Sequence, residues 1–203
     1  MTLTELLSSP SSLFAMTGLF AMTGGCIYMK KTKLTTQMLV YIALMLSLTI
    51  ILDQLRLFHF PQGGSLTLGS MLPIMLISYR FGPSIGAMTG FLYGFMNLLL
   101  DPFILHPVQV IFDYPLPFMA IGLAGLMKNS LYLGVLLGFA GRFLCHFISG
   151  IVFFSSYAPE GMSPIIYSLT VNGSLIGAEC LICLIIVKLL PIRRLLDSMG
   201  QEH

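Results

Sequence analysis

Charge is what this sequence has least of. Only 9% of its 203 residues are Asp, Glu, Lys or Arg, where a soluble domain carries about 25%. A chain that is 56% hydrophobic, with a mean hydropathy of +0.92, cannot cover a soluble surface with polar groups. The shortage therefore predicts an integral membrane protein. The ten basic residues are scattered and the net charge is +2, so no basic stripe exists for nucleic acid. Tryptophan is absent, which leaves any ring stacking to Phe, Tyr and His. The pattern G-x-x-x-x-G-K-[ST] is absent too, so the chain has no phosphate cradle of that kind for ATP. Cysteine is sparse: Cys26, Cys145, Cys180 and Cys183 all sit in apolar stretches. Cys180 and Cys183 form a C-x-x-C, but inside a hydrophobic helical pattern, and they read as inert buried thiols.

What is present is a series of long apolar runs. A spanning helix needs about 20 such residues. Runs at 38–55, 66–79, 82–100, 107–127, 131–154 and 164–190 predict six spans. The second is short and contains Gly69 and Pro73, so it reads as a segment buried by its neighbours. The period-two alternation of a transmembrane barrel is missing. With six spans, Lys30, Lys31, Lys33, Arg80, Lys128, Lys188, Arg193 and Arg194 fall on one side and Arg56 on the other. This asymmetry predicts cytoplasmic termini and outward-facing loops at 58–65, 101–106 and 155–163. The first 29 residues differ from the rest. They repeat LFAMTG at 13–18 and 19–24, and they lack the basic start of a signal peptide. They are expected to form a dispensable extension (1–29) ahead of a membrane domain (30–203).

Small residues recur at helical spacing. Gly82, Gly86, Gly90 and Gly94 share one helix face, as do Gly134 and Gly138; close helix packing is the simplest account of both. Ala43 and Ser47 form a similar pair on the first span, which suits either internal packing or docking of another membrane subunit.

Charged groups inside spans are costly, roughly 2.5–3.5 kcal/mol each on insertion scales, and they mark sites or paired structural charges. Asp113, Arg142 and Glu179 are such groups. Arg142 could pair with either carboxylate. Asp113 stands out because Tyr114, Pro115 and Pro117 follow it: the prolines should interrupt the helix, and irregular backbone at membrane depth occurs where it lines a cavity. Arg142, His146, Gly150 and Phe154 share one face of the fifth span. At the outer half, Asp113, Tyr114, His146, Phe154, Tyr157, Tyr167 and Asn172 then supply one carboxylate, several rings and neutral hydrogen-bonding groups. Such a set suits a flat, cationic, nitrogen-rich small molecule, with cation–π attraction of about 0.5–2 kcal/mol per ring.

Four stretches then match a known family in order and spacing: GGSLTLGSMLPIMLISYRFGPSIGAMTGFLYG (63–94), QVIFDYPLPF (109–118), GRFLCHFISGIVFFSSYAPEG (141–161) and YSLTVNG (167–173). Together they resemble the thiamine-specific substrate-binding subunits (S-components, ThiT family) of energy-coupling factor (ECF) vitamin transporters. The resemblance runs from about residue 33 to about residue 190 and omits the first 29 residues. It implies an all-α membrane protein, a six-transmembrane-helix bundle of the ECF S-component type, that binds thiamine near the outer face of the cell membrane. It carries ligand contacts onto Asp113 and Tyr114, His146 and Gly150, and Tyr167 and Asn172. The family's glutamate is replaced here by Asp113. Its stacking tryptophans are replaced by Phe154 and, more loosely, by Phe60 in the first outer loop. Glu179 has no family counterpart and is expected to neutralise Arg142. Partners implied are an ECF transmembrane coupling subunit and two ATPase subunits, with Ala43 and Ser47 in part of that contact; the family's second alanine there is serine in this chain. Closure of loop 58–65, eased by Gly63 and Gly64, would trap the ligand. No cofactor, metal or nucleic acid is implied. An S-component for another small cationic vitamin or a thiamine precursor remains an alternative. An enzyme using Asp113 and His146 as acid and base has no accompanying motif, and the chain is expected not to be one.

Overall fold

The computed structural model describes residues 17–20, 22–25, 27, 33–60 and 64–198. Most of the 1–29 extension, Cys26, Lys30, Lys31 and the proposed hinge Gly63 lie outside the described residues. Within the extension, Gly18 is buried, and a side chain there would overlap the ring of Phe112.

Helix α1 (Thr36–Gln54) starts where the Thr35 hydroxyl accepts the Met38 N–H at 3.2 Å, a side-chain cap of the usual kind. Its residues are mostly apolar, yet only Ile42, Thr49 and Asp53 are buried; the rest of its surface, with Leu39, Leu44 and Ile51 exposed, suits lipid. A short antiparallel hairpin follows, β1 (Arg56–His59) and β2 (Ser65–Thr67), in register Arg56 with Thr67 and His59 with Ser65. The expected open loop at 58–65 is thus the end of a hairpin, and residues 66–71 are not helical. Gly69 has φ +82°, a left-handed conformation that stops a helix from running through it, and Pro73 sits in the first turn of the next helix, where proline is favoured.

That helix, α2 (Leu72–Phe81), is therefore 10 residues long rather than 14. Leu72 through Ser78 are all buried, as expected for a helix apolar on every side. Gly82, at φ +99°, separates it from α3 (Pro83–Leu100). The fourth span is discontinuous, as the prolines predict. It consists of α4 (Pro107–Asp113), a break at Tyr114, α5 (Pro115–Ala120) and a 3₁₀ turn (Ile121–Leu126). Then come α6 (Leu131–Phe153), a 3₁₀ turn (Ser155–Tyr157), α7 (Pro164–Leu189) and a short α8 (Ile192–Ser198) that the hydropathy pattern does not signal. Among the described residues, five segments are long and apolar enough to cross a membrane, and α2 is a sixth, shorter one. The six-segment all-α architecture stands, with a small hairpin added.

The glycine stripe on α3 acts through packing. A Cβ at Gly90 would overlap the Phe118 carbonyl, and one at Gly94 would lie 2.5 Å from the Tyr114 carbonyl oxygen. Only glycine lets α3 press this closely on the broken span. Gly134 faces the Ala124 carbonyl from α6 in the same way. Ile74, Met75, Ile77, Ile85, Ile121 and Val135 form the centre of the core, with Cys180 and Cys183 at its α7 edge. Both cysteines and Cys145 are free thiols.

Candidate functional site

The broken span exposes backbone and side chains at a cavity of about 250 Å³, close to the lower end of the usual range for small-molecule pockets. All eight residues singled out for ligand contact line it: Phe60, Asp113, Tyr114, His146, Gly150, Phe154, Tyr167 and Asn172. Tyr157 is not among the lining residues, but its ring leans on Phe154, with centroids 5.8 Å apart.

Asp113 ends α4. One carboxylate oxygen accepts Gln109 Nε2 at 2.6 Å, and the other lies 3.2 Å from His146 Nδ1. Among the described residues, neither Lys nor Arg pairs with it. Arg142 has gone instead to Glu179, with Nη1–Oε2 at 2.6 Å, so the expected Glu179 pairing forms and the Asp113 alternative does not. Glu179 Oε1 also accepts the hydroxyls of Thr67 at 2.6 Å and Ser70 at 3.1 Å. This carboxylate therefore ties α7 and α6 to β2 and to the turn before α2. The Arg142 guanidinium also stacks over the Phe118 ring at 5.1 Å.

Tyr114 and Gly150 line the cavity but have structural partners as well. The Tyr114 hydroxyl accepts the Phe103 N–H at 2.6 Å and donates to the Asp101 carbonyl at 3.0 Å, pinning the α3–α4 connection. Gly150 lets α7 approach α6; a Cβ there would lie 2.9 Å from Asn172 Nδ2. Asn172 Nδ2 donates to the His146 carbonyl at 3.2 Å and to Ser168 Oγ at 3.1 Å, which fixes the amide beside the imidazole. Phe154 stacks on Phe103 at 5.9 Å.

Asp53, Arg56, His59, Asn97 and Asp101 also line the cavity, and sequence reasoning missed them as site residues. Asp53, Arg56 and Asp101 sit at helix or strand ends, where a charge looks like ordinary solvent-facing polarity. The available signal was their level: the ends of α1 and α3 share the outer face with the start of α4. Gln109 opens the 109–118 motif, and a neutral amide there carries no signal of its hold on Asp113. Four carboxylates (Asp53, Asp101, Asp113, Glu179) face two guanidiniums (Arg56, Arg142) around the cavity. The surplus is negative, which favours a cationic ligand.

The thiamine transporter ThiT of Bacillus subtilis is 37% identical, over 75% of this chain and 88% of that protein. ThiT of Lacticaseibacillus paracasei is 30% identical over 59% of this chain and 70% of its own length. A solved structure of ThiT from Listeria monocytogenes has the same fold, with a TM-score of 0.68 at 23% identity over 79% of this chain and 93% of that one. Residues 39–196, which hold the whole cavity, match the family described as Thiamine transporter protein (Thia_YuaJ), and the chain belongs to that family.

Proposed function

We propose that this chain captures thiamine at the outer face of the plasma membrane, as the substrate-binding subunit of an ECF-type uptake transporter. Thiamine joins an aminopyrimidine to a positively charged thiazolium, a flat, cationic, nitrogen-rich ligand. The observation that carries the proposal is Asp113: a carboxylate in the cavity, held by Gln109 and His146, with no Lys or Arg paired to it among the described residues. A bound cation would complete its neutralisation, and Phe154, Phe60 and Tyr167 offer ring faces. Membership of a transporter family makes the chain a transport protein rather than an enzyme. The Asp113–His146 pair is accordingly a ligand clamp.

Calorimetry with thiamine and its phosphates tests this on the wild type and on Asp113→Asn. Saturable thiamine binding that weakens in the variant is expected. A purified protein that ignores thiamine and its precursors, with no gain in melting temperature, would overturn it. The shorter carboxylate and the missing tryptophan are the features that favour the second reading, a thiamine precursor or another small cationic vitamin, and the same titration ranks them.

For energy coupling, the partners are a transmembrane coupling subunit and two ATPases. Ala43 and Ser47 are exposed on α1. Ser47 Oγ donates back to the Ala43 carbonyl at 2.8 Å, which leaves a smooth, self-satisfied face suited to helix docking. Ala43→Leu with Ser47→Leu should lose co-purification with the coupling subunit while keeping thiamine binding. Both termini are cytoplasmic, on the lysine and arginine bias, and cysteine labelling from each side checks this. The 30–203 unit is the membrane domain, and removal of the first 29 residues should leave thiamine binding intact.

A further inference from the structure

Arg56 sits where the hairpin joins α1. Its Nη1 lies 2.6 Å from Asp101 Oδ2, across 45 residues of sequence. Its Nε donates to the Asp53 carbonyl at 3.3 Å, Nη2 lies 3.7 Å from Asp53 Oδ2, and Nη1 also donates to His59 Nδ1 at 3.2 Å. His59 in turn shares a hydrogen bond with Ser65 across the hairpin at 2.9 Å. The guanidinium is thus oriented from several directions, and its strongest contact leaves the hairpin for the α3–α4 connection.

That connection is not a free loop. The Asp101 carbonyl accepts the Tyr114 hydroxyl, the Phe103 N–H donates to the Tyr114 hydroxyl oxygen, and Gln109 Nε2 donates to the Phe103 carbonyl at 3.1 Å. Gln109 and Tyr114 are the residues that hold and follow Asp113. A continuous set of polar contacts therefore runs from Asp113, through Gln109 and Tyr114, to Asp101, and from Asp101 to Arg56 and the hairpin. Phe60 and His59 carry the hairpin onto the cavity.

We propose that the Arg56–Asp101 ion pair is the clasp that couples the ligand-facing break at Asp113 to the hairpin over the cavity, and that it governs how fast a bound cation escapes. Arg56 and Asp101 act as positioning residues, setting the hairpin against the α3–α4 connection. The inference rests on the thiamine-capture reading for its ligand, but not for its geometry. Both side chains are partly exposed, 23% for Arg56 and 40% for Asp101. Such a pair contributes little to overall stability, so its loss should leave the fold intact, and salt should weaken it.

Two measurements test the clasp. The first is thiamine dissociation from the purified full chain, followed by displacement of labelled thiamine. Arg56→Gln and Asp101→Asn should each raise the off-rate by about fivefold, the order of an exposed ion pair, with a smaller change in on-rate. The double variant should match either single one, and added salt should speed release from the wild type but not from the variants. Unchanged off-rates, or effects that add, would overturn the clasp. The second needs no ligand: spin labels at Leu57 and Ile104, both exposed, report the distance from hairpin to connection. That distribution should broaden in Arg56→Gln, and an identical distribution would also overturn the proposal. A protein that binds no thiamine yet broadens in the second test would sink the function and keep the clasp.

Discussion

Two arginines line one cavity, and their surroundings differ. Arg142 lies among α6, α7, β2 and the α2 turn, and its partner Glu179 has a side chain only 2% exposed. Arg56 lies at the rim, and its partner Asp101 has a side chain 40% exposed. The distances are equal at 2.6 Å, so geometry does not distinguish the pairs. Desolvation does. Inside, neither charge can recover water if its partner is lost, and the pair becomes obligatory. At the rim each can, and the pair is free to open. The cavity is therefore fixed at its buried side and adjustable at its mouth.

The contrast breaks most readily at Glu179. Glu179→Gln leaves the Arg142 charge buried without its partner and should cost about 3–5 kcal/mol, measured as a fall in melting temperature and in membrane yield. Ligand affinity in the surviving protein should fall less than stability. If affinity collapses while the melting temperature holds, Glu179 belongs to the ligand site and the contrast fails. Replacing both charges, Arg142→Met with Glu179→Leu, should recover much of the loss.

A second way to disturb the fixed side is through packing. Gly90→Ala puts a methyl group into the Phe118 carbonyl and should cost about 1–3 kcal/mol or more, as overpacking does. Because the displaced segment follows Asp113, thiamine affinity should weaken with the melting temperature. Asp113→Asn should cost about 1.5–3 kcal/mol of binding, the scale of a hydrogen bond to a charged group, by calorimetry. Its ligand-free melting temperature should change little. Smallest of all is Arg56→Gln: less than about 1 kcal/mol in ligand-free stability, by denaturation in detergent, with its effect appearing in ligand kinetics instead.

Much of this was legible in the residues themselves. Pro115 and Pro117 announced the break after Asp113. The four-residue spacing from Arg142 to Phe154 placed one wall of the cavity, and the lone acid at 179 announced a partner for Arg142. The hairpin was not legible. Residues 66–71 are mostly apolar and read as the start of a span. They leave helical conformation because Gly69 turns the chain and because Thr67 and Ser70 are held by Glu179, more than a hundred residues away. No local pattern encodes that contact. The rim charges Asp53, Arg56 and Asp101 were hidden for a related reason: a charge at a helix end looks the same in sequence whether it faces water or a cavity.

The enclosure of α2 also compensates for its length. Ten residues at about 1.5 Å each make a rod of about 15 Å, half the hydrocarbon thickness. Left alone in lipid, its ends would strand unsatisfied peptide groups. Its place in the bilayer therefore depends on α3 and the broken span, which follow it in the chain and enclose it. A helix too short to span on its own is thus held at membrane depth by its neighbours.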